Sequence, residues 1–124
     1  MTERHAVVIG ASIAGLATAR VLSDHFDRVT VVERDLLPEG ARDRAGVPQA
    51  RHVHALLARG RRELERLLPG FEQGVRERGG HELDFGWDFA VLRQTAWQRR
   101  ERSPLPLLFA SRTLVESVVR ELVV

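Results

Sequence analysis

A run of small residues near the start of the chain has the spacing of an anion-binding turn. Gly10-Ala-Ser-Ile-Ala-Gly15 follows an apolar run and precedes a segment with apolar residues at helical spacing. A glycine at the first position permits a tight turn out of a strand, and one at the last lets the helix pack closely on the sheet. The helix N-terminus attracts a pyrophosphate through its free N–H groups and its dipole. Ser12 replaces the usual middle glycine, but it is small and its hydroxyl can donate to phosphate.

An acidic residue stands where such a turn needs a partner for a ribose. Glu33 ends a second β-branched run, 28–33, and a carboxylate at this place accepts hydrogen bonds from ribose hydroxyls. The same charge would repel a 2′-phosphate, which disfavours NADP. The alternative is a plain βαβ unit whose glycines serve only turn and packing. The predicted strands, the turn, the helix and the acidic residue occur in the order and at the spacing of a nucleotide-binding unit. The pattern therefore favours nucleotide binding.

The elements that position these residues follow from hydrophobic spacing. Residues 1–35 are predicted to form one βαβ unit with buried parallel strands. Residues 36–49 contain two prolines, two glycines and several charges, which indicates a loop that is long enough to be functional. Residues 50–68 carry leucines on one side and arginines, including Arg61, on the other, which predicts an amphipathic helix.

The rest of the chain, residues 81–124, is predicted to contain strands followed by a helix. Residues 81–92 alternate as a strand does, 93–103 are polar as in a solvated connection, and 105–110 read as another strand. In the last helix, Thr113 and Glu116 have the spacing of a capping box. The whole is predicted to be an α/β, Rossmann-like FAD/NAD(P)-binding fold, with a parallel sheet flanked by helices. It is predicted to form a single, incomplete domain over 1–124.

Composition excludes several classes of function. The chain has no cysteine, so thiolate catalysis, thiolate metal ligands and disulfides are excluded. All 19 basic residues are arginine, but the net charge of +2 attracts polyanions only weakly, so no nucleic-acid partner is expected. No leader peptide or membrane span is indicated, and a cytoplasmic location is expected. His52 and His54 lack a supporting carboxylate cluster, so no metal site is predicted.

Four segments together resemble FAD-dependent monooxygenases of the aromatic hydroxylase type, in their bacterial members. They are Gly10–Ala19, Val29–Asp35 with its Glu-Arg pair, Arg44–Leu57, and Ser111–Glu116. The resemblance implies FAD as cofactor, NAD(P)H as a candidate electron donor, and a small organic substrate. Oxygen chemistry would then belong to the flavin.

The resemblance also implies roles for individual residues. The turn would cradle the pyrophosphate, Glu33 would hold the adenosine ribose, and Arg34 would flank the adenine. Arg44 and Arg112 would contact phosphate or the ribityl chain, and His52 would lie near the flavin ring. The residues of the turn in this prediction are Gly10, Ser12, Ile13, Ala14 and Gly15.

Two other functions stay open on the sequence. One is a dinucleotide-binding module without turnover, and the other is an NAD-dependent dehydrogenase domain, although the charged segment after Glu33 does not continue as regular βαβ units. The family's later Gly-Asp motif does not occur in these 124 residues, so a truncated flavoenzyme is expected. No residue is indicated as a catalytic acid or base, and no oligomeric state is predicted.

Overall fold

A computed structural model describes residues 2–124. The described strands are β1 (His5–Ile9), β2 (Arg28–Val32), β3 (Val53–Leu56), β4 (His81–Leu83) and β5 (Leu107–Ser111). The α-helices are α1 (Ile13–Leu22), α2 (Ala58–Leu67), α3 (Phe71–Glu77) and α4 (Arg112–Val123), and a 3₁₀ turn covers Pro48–Arg51. No helix within residues 2–124 is both long and apolar enough to cross a bilayer.

The predicted βαβ unit forms. β1 and β2 pair in parallel, with His5 opposite Arg28 and Ile9 opposite Val32, and α1 connects them. The buried strand predicted at β1 is buried on one face only. Val8 faces α1 and is buried, whereas the side chain of Ile9 is 88% exposed, because α1 covers only one face of this pair of strands.

A second sheet, which is antiparallel, was not anticipated. Its strand order is β3-β5-β4, so the parallel sheet consists of β1 and β2 alone among the described residues. The α/β class is confirmed, but the single helix predicted over 50–68 is wrong. Residues 53–56 pair with β5 as a strand, and the helix begins only at Ala58. A short apolar run is compatible with both the helical and the strand pattern of hydrophobic residues. In residues 53–56, the hydrogen bonds to β5 outweigh the helical spacing.

The strand predicted over 81–92 is also too long. It ends at Leu83, because the Asp84 carboxylate accepts hydrogen bonds from the amides of Gly86 and Trp87 and turns the chain. The same carboxylate accepts from the Ser103 amide at 2.8 Å, which anchors the far end of the connection. The strand predicted over 105–110 forms two residues later, as β5.

The core surrounds α4, which packs against α1, α3 and β5. Its start differs from the predicted capping box. Ser111, not Thr113, is the N-cap, and its Oγ accepts from the Leu114 amide at 3.1 Å. Glu116 is therefore not used in capping, and its side chain turns towards the start of α1. The fully buried side chains of the core include Leu16, Leu68, Phe71, Val75, Leu108, Val118 and Val119.

Candidate functional site

The turn between β1 and α1 has the geometry its glycines predict. Gly10 has a φ of +98°, a conformation that L side chains rarely adopt, and its amide donates to the Val32 carbonyl at 2.7 Å. A Cβ on Gly15 would overlap the carbonyl oxygen of Gly10, so only glycine permits this close approach of helix to strand. The helix begins at Ile13, and Ala14 follows on its exposed side.

Ser12 is the N-cap of α1, but its hydroxyl does not cap the helix. It accepts a hydrogen bond from Arg112 Nη2 at 2.8 Å and lies 3.4 Å from Glu116 Oε2. The amides at the start of a helix have no intrahelical acceptor. Since the serine side chain does not satisfy them, they stay available to an anion. The departure from glycine at this position thus gives the turn a link to α4.

Glu33 braces the turn from the end of β2. One carboxylate oxygen accepts from the Ala11 amide at 2.7 Å, and the other accepts from the amides of Arg34 and Asp35. The hydrogen bonds from the Ala11 and Asp35 amides lower the pKa of Glu33 to about 2, against the opposing effect of burial. Glu33 is therefore ionised at neutral pH, as an acceptor for ribose hydroxyls must be.

Arg44 is buried, although the loop that carries it is mostly exposed. Its side chain is 6% exposed and contacts three carboxylates, those of Glu33 at 3.2 Å, Asp35 at 3.2 Å and Glu116 at 2.8 Å. Burial lowers the pKa of Arg44, but the hydrogen bond and charge of Glu116 and the charge of Glu33 outweigh it, and the net shift is upward. Arg44 is therefore not a solvent-exposed charge on a loop.

Arg112 reaches the same turn from the start of α4. Its side chain is 11% exposed, and Nη1 lies 3.1 Å from Glu116 Oε2 without the geometry of a hydrogen bond. Burial lowers the pKa of Arg112, which the charge of Glu116 partly offsets. A buried guanidinium with an unused donor can take a further anionic partner.

Ser12, Arg44, Arg112 and Glu116 form one cluster of polar side chains at the start of α1. Glu116 is the member of this cluster that the sequence analysis did not predict. Its side chain is 7% exposed and lies between Arg44 and Arg112. The available signal was its position four residues after Arg112, which is the spacing of an ion pair on a helix. The capping-box pattern with Thr113 obscured it.

A groove of about 400 Å³ runs along the turn and is lined by five of the ten predicted residues. Arg112 instead borders a separate small opening, together with Arg44 and Glu116. Arg34 lies at its edge with a side chain that is 82% exposed. His52 is not in this groove. It is exposed and lines a separate opening with His54, His81 and Phe109. The residues that line the groove along the turn are Ile9, Gly10, Ser12, Val32, Glu33, Arg34, Arg44 and Gly46.

The comparison with protein families agrees with this geometry. The model of the family described as FAD dependent oxidoreductase matches residues 5–119, which is nearly the whole chain and includes every part of the cluster. The chain is also 65% identical over 66 residues to Protein Rv3254 of Mycobacterium tuberculosis, an alignment that covers 53% of this chain and 14% of that protein.

A second relative is the tRNA 5-methylaminomethyl-2-thiouridine biosynthesis bifunctional protein MnmC of Pseudomonas entomophila. It is 37% identical over 100 residues, which cover 79% of this chain and 15% of MnmC. The chain thus spans about one seventh of the length of these two curated relatives.

Solved structures share the fold. A protein of Photorhabdus luminescens assigned as an FAD-containing monooxygenase has a TM-score of 0.58 at 20% identity, over 95% of this chain and 28% of its own. The peptidyl tryptophan dihydroxylase QhpG has a TM-score of 0.52 at 20% identity, over 98% of this chain and 23% of its own. The described fold is therefore a part of the fold in those proteins. By the family match, the chain belongs to the FAD-dependent oxidoreductases, and its cofactor is FAD.

Proposed function

We propose that the groove along the Gly10–Gly15 turn holds the ADP half of FAD. The observation that carries this proposal is the convergence of two buried arginines, Arg44 and Arg112, on the start of α1. A helix N-terminus with two adjacent cations suits a pyrophosphate, which carries two negative charges.

The residues present fit this group. The missing Cβ of Gly15 lets the turn stay tight, and Arg112 Nη1 is a buried donor with no hydrogen-bond partner among the described residues. Glu33 already accepts three amides and contacts Arg44, which occupies about four acceptor directions of a carboxylate. A ribose hydroxyl would therefore compete with one of these donors.

In this arrangement the turn and the amides of α1 would bind the pyrophosphate, with Arg44 and Arg112 balancing its charge. Glu33 would orient the adenosine ribose, and exposed Arg34 would lie beside the adenine. When bound, FAD supplies the redox chemistry. His52 borders a different opening, which it shares with Ala50 and His54, so its role near the flavin ring stays a prediction.

At the finer level, we infer that the whole protein is a monooxygenase for a small organic substrate, with NAD(P)H as the electron donor and a cytoplasmic location. The resemblance of the turn, the Arg44 segment and the Ser111–Glu116 segment to monooxygenases supports the reaction type, and the fold of the Photorhabdus protein is compatible with it. A dinucleotide-binding module without turnover is the competing function.

Flavin binding tests the coarser part of this proposal. Adding FAD to the intact, flavin-free protein should quench flavin fluorescence and saturate at one FAD per chain. Arg112→Ala should weaken FAD binding by about tenfold to a hundredfold, which is the effect of losing one charge-assisted contact. Arg66→Ala is the control, because that side chain on α2 is 84% exposed and pairs with Glu63. Equal binding by all three proteins would remove Arg112 from the site.

Oxygen transfer tests the finer part. Small organic compounds that accelerate NAD(P)H oxidation by the FAD-loaded protein should yield products that carry one atom of ¹⁸O when ¹⁸O₂ is supplied. Products labelled from water instead, with dioxygen only reduced, would indicate an oxidase. If FAD is bound but no compound accelerates NAD(P)H oxidation, the module without turnover is favoured.

A further inference from the structure

Glu116 is a buried carboxylate for which neither helix capping nor direct contact with the groove gives a purpose. It lies inside α4, and its side chain faces the start of α1 rather than solvent. A buried charge costs several kcal/mol unless it is paired. Its partners are Arg44 Nε at 2.8 Å and Arg112 Nη1 at 3.1 Å.

Both partners also contact the turn, each by its own hydrogen bond. Arg44 Nη2 donates to the Ala11 carbonyl at 3.2 Å, and Arg112 Nη2 donates to Ser12 Oγ at 2.8 Å. Two guanidinium groups that meet at adjacent residues repel each other. The carboxylate of Glu116 lies between them and offsets that repulsion.

We propose that Glu116 is a positioning residue for the pyrophosphate of FAD, which it serves by holding Arg44 and Arg112 against the turn. The proposal rests on the function proposed above. Arg44 has two further carboxylate partners, Glu33 and Asp35, whereas Arg112 has no other within ion-pair distance among residues 2–124. Glu116 therefore acts mainly through Arg112.

A purely structural ion pair would affect all ligands of the site alike, whereas a positioning residue affects those that carry a pyrophosphate. ADP and adenosine make this distinction, because both offer the base and the ribose but only ADP offers the phosphates. FAD is the third probe.

Glu116→Asp is the informative variant, because it keeps the charge and withdraws the carboxylate by one methylene. Glu121→Asp is the matched control on the same helix, where an exposed glutamate pairs with Arg78 at 2.6 Å, away from the turn. Binding to the intact protein is measured by calorimetry for ADP and adenosine and by flavin quenching for FAD. We expect E116D to weaken the binding of ADP and of FAD by about tenfold and the binding of adenosine by less than twofold. E121D should bind all three ligands as the wild type does.

A double-mutant cycle adds a test that a structural role would not pass. In an Arg112→Ala background, E116D should weaken the binding of ADP by less than twofold further, because Glu116 would have lost the cation through which it mainly acts. Where E116D does not fold, by circular dichroism, the same thresholds apply to Glu116→Gln, which keeps the side-chain volume.

Three results would overturn the proposal. The first is a folded variant at position 116 that binds ADP as tightly as the wild type, and the second is an equal loss for adenosine and ADP. The third is an unreduced effect of E116D in the Arg112→Ala background. A wild-type protein that binds neither ADP nor FAD would instead reject the proposed function, and this inference with it.

Discussion

Glu33 has one observed role, and its predicted role as a ribose acceptor would compete with that role for the same lone pairs. Its carboxylate ties the Ala11 amide of the turn to the amides of Arg34 and Asp35, and it contacts Arg44. The position was predicted from the spacing of a ribose acceptor, and that role stays a prediction. The structure adds that these hydrogen bonds of Glu33 hold the turn in shape without a ribose.

The hydrogen bonds of the Glu33 carboxylate make the stability of the fold depend on pH in a defined direction. The pKa of Glu33 in the folded protein, about 2, lies below its ordinary value of 4.5. Its contribution is therefore fully present above pH 4.5 and is lost as pH falls towards 2. We expect Glu33→Gln to lower the free energy of unfolding at pH 7 by about 3 kcal/mol, and the difference from wild type to shrink towards pH 2.

Urea unfolding at a series of pH values measures this difference. Glu3→Gln is the control, since Glu3 is exposed and contacts Arg28 only at 3.8 Å, and it should change stability by less than about 0.5 kcal/mol. Parallel curves for wild type and E33Q down to pH 2 would show that the hydrogen bonds to Glu33 do not contribute as described.

At the scale of elements, the close contact between α1 and the end of β1 depends on Gly15. We expect Gly15→Ala to lower the free energy of unfolding by about 1–3 kcal/mol and to abolish tight FAD binding, because its methyl group would overlap the Gly10 carbonyl. Gly60→Ala is a matched control, since Gly60 is likewise the third residue of a ten-residue helix but has open space at its Cβ.

The control should instead stabilise the protein, by up to about 1 kcal/mol, since alanine favours a helix over glycine. Thermal unfolding of the two variants, with flavin quenching, gives both readouts. If G15A is as stable as G60A, the helix does not approach the strand as closely as described.

The start of α4 gives a second test of an element. Ser111→Ala should cost about 1 kcal/mol, because its hydroxyl accepts from the Leu114 amide. Thr113→Ala, the change that the predicted capping box would make costly, should cost less than about 0.5 kcal/mol. Among residues 2–124, the one hydrogen bond of Thr113 Oγ1 is to the Ser111 hydroxyl, at 3.0 Å. Urea unfolding of both variants decides between the two caps, and the reverse order of costs would restore the capping box.

At the scale of the whole molecule, the cluster joins three parts of the chain that are distant in sequence. The turn contributes Ser12, the loop contributes Arg44, and α4 contributes Arg112 and Glu116. Arg120 adds a link from α4 to the loop through the Pro38 carbonyl at 2.6 Å. A ligand that bridges these parts should therefore stabilise the fold as a unit.

We expect FAD at a hundredfold excess over its Kd to add about 2.7 kcal/mol to the free energy of unfolding. In a chain of this size, that raises the thermal midpoint by several degrees. ADP should also raise the midpoint at saturation, and riboflavin, which lacks the ADP half, should leave it nearly unchanged. A riboflavin shift as large as that of FAD would place the flavin end, not the ADP end, in the described groove. Scanning fluorimetry on the intact protein makes the measurement.

Local residues determine the βαβ unit and the turn that belongs to it. β-branched runs, the glycines of the turn and the helical spacing after Ser12 all act within about thirty residues, so the pattern in the sequence is sufficient. Glu33 could be predicted for the same reason. Its link to the turn follows from parallel strands ending at one edge of the sheet.

Only the tertiary structure decided the rest. Residues 53–56 form a strand because β5, more than fifty positions away, supplies hydrogen bonds that no local pattern records. Arg44 is buried because the carboxylates of Glu33 and Asp35, which follow β2, and of Glu116 in α4 converge on it. Glu116 turns inward because Ser111 already caps the helix. The resemblance implied that Arg44 and Arg112 share one ligand. Their ion pairs and the part of Glu116 in them depend on packing across such distances rather than on spacing, so no pattern in the sequence indicates them.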